Sequence, residues 1–184
     1  MVSGPSGVGK SSIIDRLARR RRFRFSVSVT TRSPRPGERD GVDYVFSDRE
    51  TFMSLVAEDA LLEWAEFGGN LYGTPRRPVE EWLAAGDDVL LDIEIDGARQ
   101  IRDTFPTALF LFIAPPGLEE LRRRLQGRGD TSEGDIRLRL ERARRDLASA
   151  PEVFDVLVVN RDLERAVDLV DAVIGCDGRV VDSR

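Results

Sequence analysis

Histidine is missing from all 184 residues. That excludes every mechanism in which an imidazole acts as base, nucleophile or metal ligand. Any chemistry here must work by positioning and charge. Cysteine is almost missing as well: Cys176 is alone and cannot close an internal disulfide, which fits a reducing cytoplasm. No apolar run approaches the roughly 20 residues that span a bilayer, so no membrane association is expected. The formal charge of −5 and an isoelectric point near 5.0 leave no broad basic surface for nucleic acid. Internal repeats and low-complexity linkers are also lacking. What is present is ordinary for a soluble globular chain: 41% apolar and 33% charged residues, at a length that suits one domain with a real core. Arginine is plentiful in clusters at Arg19 to Arg22, Arg122 to Arg124, and Arg142 with Arg144 and Arg145. Such clusters are expected to face water or to pair along helices, so single arginines in loops are more informative.

Short apolar runs alternate with helical periodicity, as βαβ units do. Ile13, Ile14, Leu17 and Ala18 make one helical face, and Phe25 to Val29 alternates as a half-buried strand does. Val89 to Ile93, Leu109 to Ala114 and Val156 to Val159 are near-continuous apolar runs, the pattern of parallel strands covered on both faces. Helices are expected near 97–104, 117–126 and 162–174, the last with Leu163, Ala166, Val167, Val170 and Ile174 on one stripe. Two stretches do not fit a parallel core. Residues 31–88 hold the turn-rich run TRSPRPGERDGVDY, a helix with Phe52, Leu55 and Val56, a strand at Leu62 to Phe67, and a helix starting between Pro75 and Pro78. Residues 127–134, GRGDTSEG, read as a polar loop before a helix with Ile136, Leu140, Ala143 and Leu147. A core with two inserted mobile pieces is the architecture of a small kinase that closes over two substrates.

The run SGPSGVGKSS at residues 3–12 fits G-x-x-x-x-G-K-[ST] through Gly4, Gly9, Lys10 and Ser11. Glycines at 4, 7 and 9 let backbone N–H groups turn inward and form an anion nest with the helix N-terminus. Gly4, Pro5, Ser6, Gly7, Val8 and Gly9 would wrap the phosphates of ATP. Lys10 would reach the β- and γ-phosphates, and the Ser11 hydroxyl would ligate Mg²⁺. A plain glycine-rich turn before a helix would share part of this pattern. The placement between a strand and an amphipathic helix favours nucleotide binding, but the motif alone does not separate a kinase from a GTPase or a binding module.

The remainder of the chain resembles the guanylate kinase family, the nucleoside monophosphate kinases that phosphorylate GMP. SVTTRSPRPGERDGVDY, LLEWAEFGGNLYGTP, VLLDIEIDGAR, FIAPP, LQGRGD and VVNRDLERA follow that family's order and spacing. The resemblance implies an α/β P-loop nucleoside monophosphate kinase fold: a parallel sheet core (1–30, 89–124 and 145–184) flanked by helices, an inserted GMP-binding subdomain (31–88) and a lid (125–144). It implies transfer of the γ-phosphoryl group of ATP to GMP with Mg²⁺, in a cytoplasmic enzyme that is a monomer or weak homo-oligomer. Glu63 would read guanine, whose N1–H and 2-amino groups are donors, whereas adenine presents an acceptor at N1. Ser28 and Thr74 would lie near the same nucleotide. Arg32 and Arg35 would grip the phosphate of GMP from either side of Pro34, with Tyr44 and Tyr72 completing the pocket. Arg128 and Arg139 would be lid arginines that neutralise the transferring phosphoryl group, alongside Lys10 and Arg32. Asn160 would lie near the ATP base.

Some positions depart from the family pattern. Glu94 and Asp96 stand where the family more usually has aspartate and glutamine. Asp92 follows an apolar run like a Walker-B acid, and the sequence leaves open which of Asp92 and Glu94 would touch Mg²⁺ or guanine. The family's histidines near the GMP pocket are replaced: Val45 follows Tyr44, and Gly69 precedes Asn70. An already ionised phosphate needs no general base to accept a phosphoryl group, so the mechanism survives the change. Two rival readings are a non-catalytic guanylate-kinase-like module that binds proteins, and a kinase for another nucleotide or a ribose bisphosphate. Retention of Lys10, Ser11 and the lid arginines opposes the first, and Glu63 with Arg32, Arg35 and Tyr44 opposes the second.

The phosphate loop begins so early that no signal or transit peptide is expected before it. Only Met1, Val2 and Ser3 precede it, although mean strands run about five residues. Two or three missing apolar residues at roughly 1.5–3 kcal/mol each would remove about 3–9 kcal/mol, against about 5–15 kcal/mol for a whole domain. The expectation is that the natural chain begins upstream. A version extended by the in-frame upstream codons should carry an apolar stretch just before Met1 and melt at a clearly higher temperature; equal melting temperatures would show that the short strand suffices.

Overall fold

The computed structural model describes residues 1–127 and 132–175. In chain order its elements are β1 (Val2–Ser3), α1 (Lys10–Leu17), β2 (Arg24–Phe25), β3 (Val29–Thr30), β4 (Val45–Phe46), α2 (Arg49–Ala57), β5 (Leu61–Phe67) and β6 (Asn70–Pro75). There follow α3 (Arg76–Ala84), β7 (Val89–Leu90), α4 (Ile95–Arg102), β8 (Leu111–Ala114), α5 (Leu118–Gln126), α6 (Glu133–Val153), β9 (Val156–Val159) and α7 (Leu163–Gly175). Contacts gather them into two compact units. One comprises Met1–Arg21 and the described residues from Thr107 onward, and the other is Arg22–Pro106.

In the first unit β8 runs between β1 and β9, parallel to both, with Val2 beside Leu111 and Leu111 beside Val156. Every residue of β8 is buried, as a continuous apolar run LFIA requires. The strand β9 departs from that expectation: Leu157 and Val159, two residues apart and so on one face, are 42% and 43% exposed, while Val158 on the other face is buried. Helix α1 buries Ile13, Ile14 and Leu17, while Ala18, expected on the same face, is the exposed C-cap. The arginine-rich end of α1 is tied to α7: Arg16 and Arg20 pair with Glu164, Arg20 also with Asp168, and Arg21 with Asp171. Helices α5 and α6 join through Leu121, Leu125, Ile136 and Ala143.

The second unit holds the parallel pair β2–β7 and a four-stranded mixed sheet ordered β4-β3-β6-β5. The stretch from Phe25 to Val29, expected as one strand, is divided: β2 pairs with β7 and β3 enters the mixed sheet. Its alternation came from two short strands separated by irregular backbone. The run from Val89 to Ile93 is likewise a strand only at Val89–Leu90. Strand β6 had no apolar signal in NLYGTP, and it forms because it pairs with both β3 and β5. Helix α3 starts at Arg76, where Pro75 is the N-cap and Pro78 falls in the first turn, where no helical N–H bond is lost. Val29, Phe52, Leu61 and Leu71 make this unit's apolar cluster, with Trp64 edge-on to Phe52 at 6.5 Å. Phe52 is wholly buried, so Phe52→Ala should cost about 3–5 kcal/mol, read as a lower urea midpoint; a loss below about 1 kcal/mol would mean that the cluster collapses around the gap.

Candidate active site

The first unit presents the loop between β1 and α1. Gly7 and Gly9 have φ of +84° and +101°, conformations that a side chain would strain. A Cβ on Gly9 would stand 2.7 Å from Asn160 Nδ2, so the loop lies directly on that amide. Gly9 is also the N-cap of α1 and no side chain caps the helix, which leaves its N-terminal N–H groups to meet an anion. Lys10 Nζ donates to Gly4 O at 2.6 Å, folding the lysine back along the loop. Arg139 Nη1 on α6 donates to Ser6 Oγ at 3.1 Å, so an expected lid arginine does reach the phosphate loop. Ser11 is exposed in the first turn of α1. Arg128, the other expected lid arginine, lies outside the described residues, as does Cys176.

Asn160 was expected near the ATP base; its amide donates to Val8 O at 2.8 Å, and it is buried behind the loop. Arg124 Nη1 donates to the same carbonyl at 3.1 Å and Nη2 to Asn160 O at 2.9 Å, with Glu120 pairing its Nε. In the sequence Arg124 was one of a run of arginines, with nothing to distinguish it from its neighbours. Only the fold shows that it supports the loop.

The second unit brings the expected GMP-binding residues into two linked groups. At one end, Arg32 makes a two-pronged pair with Glu38, Nη1 to Oε2 and Nη2 to Oε1, both at 2.9 Å. Its Nη1 also donates to Ser33 O, and its guanidinium lies 5.3 Å from the ring centre of Tyr44 and 5.9 Å from that of Phe46. Tyr44 meets Tyr72 edge-on at 6.1 Å, and Tyr72 lies near enough to Arg32 to favour its charged form. Glu38 further accepts from the Arg35 backbone N–H at 2.7 Å, so one carboxylate ties both arginines of the loop. Hydrogen bonding to Arg32 in turn holds the Glu38 carboxyl below its usual range. Glu38 was missed from the sequence; a single acid among the arginines of RSPRPGERD was the available signal. Ser28 is half-buried just before β3 and accepts the Val45 N–H on its carbonyl.

At the other end Glu63 is only 5% exposed. Thr74, directly opposite on β6, donates its hydroxyl to Glu63 Oε1 at 2.5 Å. The pairing register shifts between Leu61 and Glu63, which breaks the alternation of β5 and turns Glu63 inward with its neighbours. Glu94 and Asp92 are near enough to oppose its ionisation, and Asp92 acts on Tyr44 as well. Burial first, then these charges, raises the Glu63 carboxyl from 4.5 to about 7, against the opposing pull of Thr74. Burial likewise pushes the Tyr44 phenol up to about 12. Gly97, also missed, makes room for the carboxylate: a Cβ there would lie 2.0 Å from Glu63 Oε2.

A glycine loop between strand and helix, on a parallel sheet with flanking helices, and a separate pocket of paired arginine, tyrosine and buried acid define a P-loop nucleoside monophosphate kinase. Similarity to known proteins narrows the class. The family model described as guanylate kinase matches residues 1–176. Guanylate kinase of Thermobifida fusca (strain YX) is 56% identical over 175 residues, 95% of this chain and 89% of the relative. That of Parasynechococcus marenigrum (strain WH8102) is 53% identical over 176 residues, 95% and 96% of the two chains. The crystal structure of guanylate kinase from Anaplasma phagocytophilum superposes with a TM-score of 0.80 at 34% identity, covering 98% of this chain and 85% of that one. The chain belongs to the guanylate kinase family.

The raised Glu63 carboxyl has a sign that can be measured. Between pH 4.5 and about 7 the folded ligand-free chain keeps a proton that the unfolded chain has lost. Stability from this group is therefore full below about 4.5 and falls as pH rises through 7, by on the order of 3 kcal/mol in all. Urea unfolding of the wild type and Glu63→Gln across that window should show a difference that drifts by this amount; a constant difference would mean an unshifted carboxyl.

Proposed function

We propose that the chain transfers the γ-phosphoryl group of ATP to GMP, yielding ADP and GDP. The observation that carries this reading is the buried Glu63 carboxylate, held by Thr74 above Gly97 and flanked by Asp92 and Glu94. A pocket of acceptors suits a base edge that offers N1–H and an amino group, and it leaves adenine's N1 acceptor unpaired. Arg32, with Arg35 beside it, binds the phosphate of GMP, and Tyr44 and Tyr72 supply its aromatic and hydroxyl wall. Glu38 takes one edge of the Arg32 guanidinium and so orients the donors that remain.

The glycine loop and the first turn of α1 bind the phosphates of ATP through backbone N–H groups. Lys10 leaves Gly4 O for the β- and γ-phosphates, and Arg139 with Arg128 offsets charge on the transferring group. Asn160 serves the ATP site by holding Val8 O, together with Arg124. Oxygen donors suit Mg²⁺: the Ser11 hydroxyl and the nucleotide's own phosphates would hold it. When bound, the ion supplies charge neutralisation across the phosphates. The residues around it orient both nucleotides and exclude water. No helix among the described residues is long and apolar enough to cross a membrane, and a cytoplasmic monomer or weak homo-oligomer is part of this proposal. So is the division into core, GMP-binding segment (31–88) and lid (125–144), to be checked by comparing structures with and without a bisubstrate inhibitor.

A coupled assay of ADP release across GMP, AMP, UMP and CMP tests the reading: turnover should be confined to GMP, and equal use of AMP would overturn it. Lys10→Ala should cut kcat by at least about 100-fold with the fold intact. Arg32→Ala should mainly raise the KM for GMP, by about 10–100-fold, whereas Arg139→Ala should mainly lower kcat. Equal effects of both arginines on GMP affinity would refute separate roles.

A further inference from the structure

Glu63 reads guanine only if its carboxylate is held at the right depth, and its own strand does not ensure that. Strand β5 ends the order of the mixed sheet and pairs with β6 alone, and its register shifts immediately before Glu63. A terminal strand with a bulge leaves one row of backbone groups without a strand partner. At Trp64, the residue after Glu63, that row is filled by a side chain. Gln100 Oε1 accepts the Trp64 N–H at 3.1 Å, and Gln100 Nε2 donates to Trp64 O at 2.6 Å. The amide thus copies the paired bonds of an antiparallel rung. It needs one donor and one acceptor in one plane, at the reach of glutamine, and no carboxylate or apolar side chain offers both.

Gln100 stands three residues after Gly97 on α4, on the same helical face. Helix α4 therefore meets two successive residues of β5: its bare Gly97 backbone lies against the Glu63 carboxylate, and its Gln100 amide grips the Trp64 backbone. We propose that Gln100 is a positioning residue for guanine selection, setting through this amide rung the distance between β5 and α4 at which Glu63 meets both donors of the base. Gly97 is its counterpart, since it allows the close approach that Gln100 secures. The inference rests on the GMP kinase reading above. Gln100 itself is exposed, so replacing it leaves no buried group stranded and should disturb the site more than the fold.

The test uses the full chain and the variants Gln100→Met and Gln100→Glu, which keep the length of the side chain but lose one or both bonds. Amide exchange at Trp64 should accelerate in both. The KM for GMP should rise by about 10-fold, while the KM for ATP and the melting temperature stay near wild type. The preference for GMP over IMP, which lacks the 2-amino donor, should fall by a similar factor, because a displaced carboxylate loses its second contact first. Gly97→Ala should damage GMP use more severely by pushing the carboxylate away. Faster Trp64 exchange with an unchanged GMP-to-IMP ratio would overturn the proposal, and so would unchanged exchange. A parallel rise of both KM values with a lower melting temperature would reduce Gln100 to a structural role and overturn it too. Wild-type turnover of GMP is the separate check on the parent reading: if it is absent, that reading fails, whereas normal wild-type turnover with unaltered variants sinks only the role of Gln100.

Discussion

A carboxylate kept out of water is the constraint around which the second unit is arranged. Isolated burial of a charged group is strongly unfavourable, so the group either finds partners or keeps its proton. Glu63 does both in part: Thr74 donates one strong bond, and the carboxyl holds its proton to about pH 7. The bulge in β5, the glycine at 97 and the long reach of Gln100 all follow from bringing a helix against that side chain. On the proposed reading, guanine with its two donors would pair with the acceptors of this carboxylate.

The first unit meets the opposite demand, for it must attract negative charge. It does so with backbone rather than with a basic surface, consistent with a chain whose net charge is −5. Glycines at 7 and 9 turn the loop into conformations closed to other residues, and the uncapped start of α1 adds its own N–H groups. Such a loop needs support from behind. Asn160 and Arg124 provide it by converging on Val8 O. The arginine that looked like one member of a solvated run is part of the loop's foundation.

Without histidine no imidazole is available for proton transfer, and phosphoryl transfer to an already ionised phosphate does not require one. The arginines to which the proposed reading gives the substrate's charge already have partners: Arg32 is bonded to Glu38 and Arg139 to Ser6. The two-pronged bond to Glu38 fixes the Arg32 guanidinium plane, and such preorganisation would lower the entropy cost of binding an anion there.

The phosphate loop, Glu63 with Thr74, and the Arg32–Tyr44–Tyr72 set were legible in the chain because each depends on local spacing or on a resemblance carried by short blocks. Most helices were legible for the same reason, since a stripe such as Ala166, Val167 and Val170 is a local pattern. Strand β6 was not legible, because NLYGTP forms a strand only through its two neighbours. Nor was the division of the stretch from Phe25 to Val29, where two short strands in different sheets mimic a single alternation. Glu38, Gly97, Gln100 and Arg124 belong with these. Their types are common on any surface, and their meaning lies in contacts with residues that only folding brings near: Gln100 with Trp64, Gly97 with Glu63, Arg124 with Val8. Local periodicity and short motifs decide which groups are available. Where a carboxylate sits, and what holds it there, is a matter of distances across the fold, which spacing along the chain does not encode.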